Sequence, residues 1–260
     1  MESSSIKFSV HESVAQITLN RPDKFNSFNR EMALALQKTL DDCAADKNIR
    51  AILITGEGKA FCAGQDLGEA ADSSGPGIKK IVEEHYNPII KKIRTIEKPV
   101  VCAVNGVAAG AGANIALACD VVIAASSVSF MQVFSKIGLI PDSGGTFILP
   151  RLIGWQRASA LMMLGEKVSA ADAQQMGMIY KVVDDSALQE ESMRVATTLS
   201  VMPTKGIGLT KRLLNESAFN SLEKQLDRER DVQVEAAQTH DYIEGVKAFL
   251  EKRKPVFKGE

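Results

Sequence analysis

The sequence predicts an α/β protein, with parallel strands buried on both faces, helices wrapped around them, and a run of helices at the C-terminal end. Short uninterrupted apolar runs recur at residues 51–55, 100–104 and 121–125, the mark of strands that have no solvent face. Each run leads into small-residue turns and then a helical pattern, so strand, turn and helix repeat. From residue 185 onward only amphipathic helical spacing is left.

Composition narrows the class. The 260 residues are 45% hydrophobic and 24% charged, with a formal net charge of −1. That is enough chain for one sizeable core, and Lys and Arg are too scattered to bind nucleic acid. Cys43, Cys62, Cys102 and Cys119 lie in apolar contexts without CxxC spacing and read as reduced packing residues, Cys62 standing next to a small-residue turn. His11, His85 and His240 are dispersed, so no metal or redox cofactor is expected. Residues 1–5 are polar and no apolar run reaches membrane length, so no membrane association and a cytoplasmic location are expected.

The elements follow in order. Residues 6–10 and 14–19 alternate apolar and polar around a polar break, which predicts a β-hairpin. Loop residues at 20–27 precede a helix over 28–42, with Met32, Leu36 and Leu40 at helical spacing. The strand at 51–55 ends in a Gly-Glu-Gly turn, and a second small-residue turn follows at 61–67. Residues 70–81 carry Gly and Ser and read as a loop with the look of a mobile one. The spacing then predicts a helix over 82–96, with Ile89, Ile90 and Ile93 inward; His85 and Tyr86 either face a pocket or are semi-buried packing groups, and packing is the preferred reading. Pro99 stops it before the next strand. After a glycine/alanine turn come an apolar helix over 111–119, helices over 147–164 and from Ser169, a strand over 178–183, and helices over 187–200, 204–216 and 221–239. The charge run at 227–231 reads as a solvated helix face. No Pro-, Gly- or Ser-rich linker divides the chain, so residues 1–200 read as a core carrying the site and 201–260 as a helical region packed on it.

Two turns draw the chemistry. Between Val107 and Asn114 only Gly and Ala occur, which either lets two elements pack closely or lets a ligand reach main-chain N–H groups at a helix start. Asp142 follows Pro141 and precedes two glycines. It is either a helix cap or a carboxylate whose pKa is raised by poor solvation.

Taken together, Asn-Arg-Pro at 20–22, AFCAGQDL at 60–67, Lys98-Pro99, NGVAAGAG at 105–112, Asp120 and IPDSGGT at 140–146 resemble the enoyl-CoA hydratase/isomerase (crotonase) superfamily over nearly the whole chain. The segments 103–113, 134–142, 206–209, 226–231 and 245–246 are most similar to the branch that isomerises ring 1,2-epoxyphenylacetyl-CoA. The resemblance implies a spiral of repeated ββα units with a C-terminal helical subdomain, an acyl-CoA thioester as substrate, no cofactor beyond the coenzyme A of that substrate, and a homotrimer or dimer of trimers.

The resemblance also implies roles for particular residues. The backbone N–H groups of Gln65 and Ala111 form an oxyanion hole, where the side chain at either place is not prescribed, and Asp142 is the catalytic acid. Lys24, Ala63, Asp66, Leu67, Gly110, Asn114 and Phe134 line the substrate and CoA path, and Phe257 and Lys258 reach the CoA of a neighbouring subunit. Where hydratases carry two water-activating glutamates, this chain has Asn114 and Phe134, so simple hydration is not expected and one-acid proton transfer is. The expected activity converts ring 1,2-epoxyphenylacetyl-CoA to its oxepin form, with a 3-enoyl to 2-enoyl shift alongside it. A straight-chain enoyl-CoA isomerase or hydratase, a dehalogenase-like nucleophilic role for Asp142 and a non-catalytic CoA-binding scaffold are the competing readings.

Overall fold

The computed structural model describes residues 5–260; the polar start over residues 1–4 lies outside the described residues. The strands are β1 (Ile6–His11), β2 (Val14–Leu19), β3 (Ala51–Gly56), β4 (Ala60–Cys62), β5 (Val100–Val104), β6 (Val107–Ala109), β7 (Val121–Ala125), β8 (Ser129–Met131), β9 (Lys167–Ser169) and β10 (Lys181–Val183). The hairpin β1-β2 is antiparallel, and β3, β5, β7 and β10 continue it as a parallel sheet in the order β1-β2-β3-β5-β7-β10. A smaller sheet has the order β4-β6-β8-β9.

This split is the spiral. Each of the pairs β3/β4, β5/β6 and β7/β8 sends its first strand to the large sheet and its second to the small one, and a helix carries the chain to the next pair. Every residue of β3 and β5 is buried, as uninterrupted apolar runs require. The apolar helix Ala111–Ala118 is buried along its whole length, so its small side chains serve close packing.

Three stretches depart from the expected outline. Residues 67–80 hold two short helices, Leu67–Ala71, capped by Asp66, and Gly77–Lys80. The expected helix over 82–96 is wound as a π-helix over Ile81–Tyr86 before becoming α-helical over Asn87–Thr95. Pro88 explains the change: it lacks an N–H and crowds the carbonyl of Glu84, which is taken instead by the Gln37 side chain at 2.8 Å. The helix over 147–164 is two helices, Gly145–Ile153 and Trp155–Leu164, broken at Gly154 with φ +79°. A further helix, His240–Leu250, starts from a Thr239 cap that the sequence reading passed over.

The helices after Leu188 are held to the core by a buried charge. Lys211, on the helix Thr204–Ser217, is 5% exposed and donates to Asp120 at 2.7 Å and to the Lys98 carbonyl at 3.2 Å. Asp120 in turn accepts the Val100 N–H at 2.8 Å, so one carboxylate ties β5 to that helix. Removing it strands a cation in a low-dielectric site, which costs about 3–5 kcal/mol. Asp120→Ala is therefore expected to destabilise the protein by that amount in urea denaturation, and Lys211→Met by less, because the partner left behind is more exposed.

Candidate active site

Three chain turns and one helix wall meet around a partly open cavity of about 150 Å³. The first turn follows β4. Phe28 donates its N–H to the Gly64 carbonyl at 2.7 Å, and Asp66 donates to the Phe28 carbonyl at 2.8 Å. In a parallel bridge this pairing uses the peptide groups on either side of Gln65 and turns the Gln65 N–H the other way. Gly64 takes φ +95°, and a Cβ placed there would stand 3.0 Å from the Ala109 carbonyl and 3.5 Å from the Ala111 nitrogen. The turn after β6 is thus in van der Waals reach of the turn after β4.

Gly112 sets how closely the two approach. A Cβ at this position would lie 2.3 Å from the Cys62 carbonyl oxygen and 2.7 Å from Sγ, so only glycine fits. The close-packing and open-amide readings of this turn are therefore both met: Gly112 packs on Cys62, while Ala111 at the helix start lines the cavity. Among the described residues no protein acceptor takes the Gln65 or Ala111 N–H. Burial pushes the Cys62 thiol up to about 12, which leaves it protonated and unsuited to nucleophilic attack.

Asp142 closes the far side of the cavity. It does not cap the helix Gly145–Ile153, which has no side-chain cap bond. Instead its Oδ1 accepts the Ser143 hydroxyl at 2.9 Å, and burial raises its pKa above the ordinary aspartate range against the opposing pull of that bond. Ser143 holds φ +52°, a left-handed conformation for a side-chain-bearing residue. Asn114 lies beneath the turn, 1% exposed, donating from Nδ2 to the Asp142 carbonyl at 2.9 Å and accepting from Gln132 at 2.8 Å. It supports the Asp142 backbone and does not line the cavity.

The structure thus gathers Ala63, Gln65, Leu67, Gly110, Ala111, Phe134 and Asp142 around one cavity. It does not bring the others there. Lys24 is exposed on a turn at Pro22–Lys24, and Asp66 pairs with Arg21 at 2.9 Å. Phe257 lies against Gly245 near the C-terminus, and the Lys258 N–H donates to Asp241 at 2.7 Å. Tyr86, read from sequence as packing, is wholly buried yet forms part of the cavity wall with Ile81 and Val82. Its hydroxyl donates to Gln65 Oε1 at 2.9 Å. His85 faces Arg30, 3.3 Å from its guanidinium, and lies outside the cavity lining.

A pair of free backbone amides beside a poorly solvated carboxylate can, in chemical terms, stabilise an oxyanion while a proton moves. The chain belongs to the enoyl-CoA hydratase/isomerase family, whose sequence signature spans residues 9–260. It is 49% identical over 254 residues to the 1,2-epoxyphenylacetyl-CoA isomerase of Escherichia coli (strain K12), covering 96% of this chain and 97% of that protein. It is also 36% identical over 263 residues to the trans-2-decenoyl-(acyl-carrier-protein) isomerase of Streptococcus mutans serotype c, covering 100% of both. Among solved structures, an enoyl-CoA hydratase from Polaromonas sp. JS666 superposes with a TM-score of 0.90 at 36% identity, covering 97% of this chain and 99% of that one. No helix among the described residues is long and apolar enough to cross a membrane.

The raised pKa of Asp142 has a sign for stability. A carboxyl whose pKa is higher in the folded than in the unfolded protein binds its proton more tightly when folded, so stability falls as pH rises from the ordinary aspartate value through the folded one. Above that window the charge is a constant penalty. Asp142→Asn is expected to raise the melting temperature at neutral pH, and the gain over wild type should fade as the pH is lowered through the raised folded value and be gone by about 4, the unperturbed aspartate value. Equal melting temperatures at neutral pH would show that burial of the charge costs nothing.

Proposed function

We propose that this protein is a CoA-thioester isomerase that moves a proton with the single carboxylate Asp142 while the Gln65 and Ala111 N–H groups hold the thioester oxygen. The observation that carries this reading is the inventory of the cavity: Asp142 is the one carboxylate among its described lining residues. The two places where the resemblance puts water-activating glutamates are filled by Asn114, which is occupied with the Asp142 backbone, and Phe134, a buried apolar wall. Water addition needs one group to take a proton and another to position and deliver. Isomerisation needs one base that returns what it took. In this step Asp142 takes a proton from the carbon next to the thioester, the electrons pass to the carbonyl oxygen between the two amides, and the protonated Asp142 returns the proton further along the conjugated system. Nothing enters or leaves, so the product is an isomer and no cofactor beyond the substrate's own coenzyme A is called for.

The cavity also supports an aromatic acyl group. Its volume, about 150 Å³, is that of an apolar cavity that takes up benzene, and Ile81, Val82, Val133, Phe134, Ile137 and Leu139 give it apolar walls. We therefore assign as substrate the ring 1,2-epoxyphenylacetyl thioester, rearranged to its oxepin form, with the 3-enoyl to 2-enoyl shift as a simpler case of the same proton transfer. The 49% identity to an isomerase named for that substrate supports the assignment.

The test compares wild type and Asp142→Asn on a 3-enoyl-CoA and on the ring epoxide. Loss of the base should lower kcat about 10²- to 10⁴-fold with binding of the thioester retained. Equal activity of the two proteins would remove Asp142 from the mechanism. A wild type that hydrates a 2-enoyl-CoA faster than it shifts a double bond would favour the hydratase reading.

A further inference from the structure

A backbone donor does not in itself require a particular side chain, yet the side chain of Gln65 is held at both ends. Its Oε1 accepts the Tyr86 hydroxyl at 2.9 Å, and its Nε2 donates to Glu69 Oε2 at 2.9 Å and to the Asp66 carbonyl at 3.3 Å. Glu69 is anchored in turn, its Oε1 accepting the Arg30 N–H at 2.9 Å. The chain of bonds begins in the cavity wall at Tyr86 and ends on the first residue of the helix Arg30–Ala45.

Three features show that this is more than a satisfied phenol. Tyr86 is completely buried, and burial keeps its hydroxyl protonated as a donor. It stacks at a tilt on Phe28, ring centroids 6.0 Å apart, and Phe28 is the residue whose backbone brackets Gln65 on the other side. Tyr86 stands at the end of the π-helical turn Ile81–Tyr86, beside Ile81 and Val82 in the cavity wall. Gln65 is therefore gripped through its main chain by Phe28 and through its side chain by Tyr86 and Glu69, and little freedom is left to the peptide whose N–H faces the cavity.

We propose that Tyr86, acting through the Gln65 side chain, is a positioning residue that fixes the Gln65 N–H for the thioester oxygen as negative charge develops there. The inference rests on the isomerase reading above and adds to it a residue outside the family motif. Because the effect is on a donor that matters most once the oxygen is charged, Tyr86 contributes to kcat and not to ground-state binding.

Tyr86→Phe, Gln65→Ala and the double variant test this, with Asp142→Asn as a reference. Tyr86→Phe keeps the ring and its packing, and Gln65→Ala keeps the backbone N–H. Two activities are followed: the 3-enoyl to 2-enoyl shift, and exchange of the C2 protons of a saturated acyl-CoA with deuterated water. Tyr86→Phe is expected to lower both rates about 5- to 30-fold, from the range for a lost neutral hydrogen bond up to part of an oxyanion donor. KM and the Kd for the saturated acyl-CoA should stay within about twofold. The double variant should lose no more than about the larger of the single losses, as two members of one unit do.

Unchanged rates in Tyr86→Phe overturn the proposal, and so do losses that multiply in the double variant or that appear equally in Kd. If Tyr86→Phe folds poorly, Gln65→Ala alone decides, since its undiminished kcat would show that the tether does not act. A wild type that exchanges C2 protons, dependent on Tyr86, but shifts no double bond would sink the isomerase reading and leave this inference standing. A wild type that does neither overturns both.

Discussion

The close approach of two backbone turns is the constraint on which the rest of this structure depends. The strand end at Cys62–Gln65 and the helix start at Gly110–Gly112 touch because Gly112 has no Cβ to strike Cys62. The spiral brings them there: alternate strands of successive repeats enter the same small sheet, so β4 and β6 are neighbours and the turns that follow them lie side by side. Two peptide N–H groups are then left facing a cavity without a protein acceptor. Unpaired donors of this kind are costly in a folded protein. A ligand oxygen would offset that cost, and the proposed function rests on this pair as much as on Asp142.

Asp142 is the other half of that economy. A carboxylate in an apolar cavity is destabilised in its charged form, and the same penalty makes it a stronger base toward carbon than a solvated aspartate. Its surroundings keep the penalty from being relieved. Asn114 directs its amide to the Asp142 carbonyl and its oxygen to Gln132, not to the carboxylate, and Phe134 gives the cavity an apolar wall. The Ser143 hydroxyl and the Asp142 backbone N–H offset the burial only in part, and Ser143 adopts a strained left-handed backbone in the same turn.

Much of this was legible in the sequence, and what was not has a physical reason. Uninterrupted apolar runs identified the strands of the large sheet because burial on both faces removes polar residues from them. The glycine/alanine stretch and the lone acid marked the two ends of the site, since close backbone approach and poor solvation leave compositional traces. Lys24, Phe257 and Lys258, which came from the family resemblance, lie away from the cavity within one chain. The segment over 70–81 reads as a loop because Gly and Ser mask the end of the short helix Leu67–Ala71 and the whole of Gly77–Lys80. Tyr86 reads as packing in preference to pocket lining because a tyrosine among apolar residues at helical spacing looks the same in either role. The importance of the Gln65 side chain could not be read at all, since nothing near it in sequence names Tyr86 as its partner.

Pro88 marks in the sequence where the helix that carries Tyr86 changes its winding. A proline inside a helix denies its N–H to the preceding turn and pushes on the carbonyl four residues back. Here that carbonyl belongs to Glu84 and is rescued by Gln37, so the turn widens by one residue without leaving a buried acceptor unpaired. One extra residue in a turn rotates the preceding side chains by about 100° relative to an unbroken α-helix. Ile81 and Val82, at the start of the widened turn, are the side chains it redirects, and both stand in the cavity wall. Tyr86, three residues before Ile89 and seven before Ile93, keeps α-helical spacing with these buried isoleucines, and its hydroxyl reaches Gln65. One helix thus serves the hydrophobic core through Ile89 and Ile93 and the cavity wall through Ile81, Val82 and Tyr86.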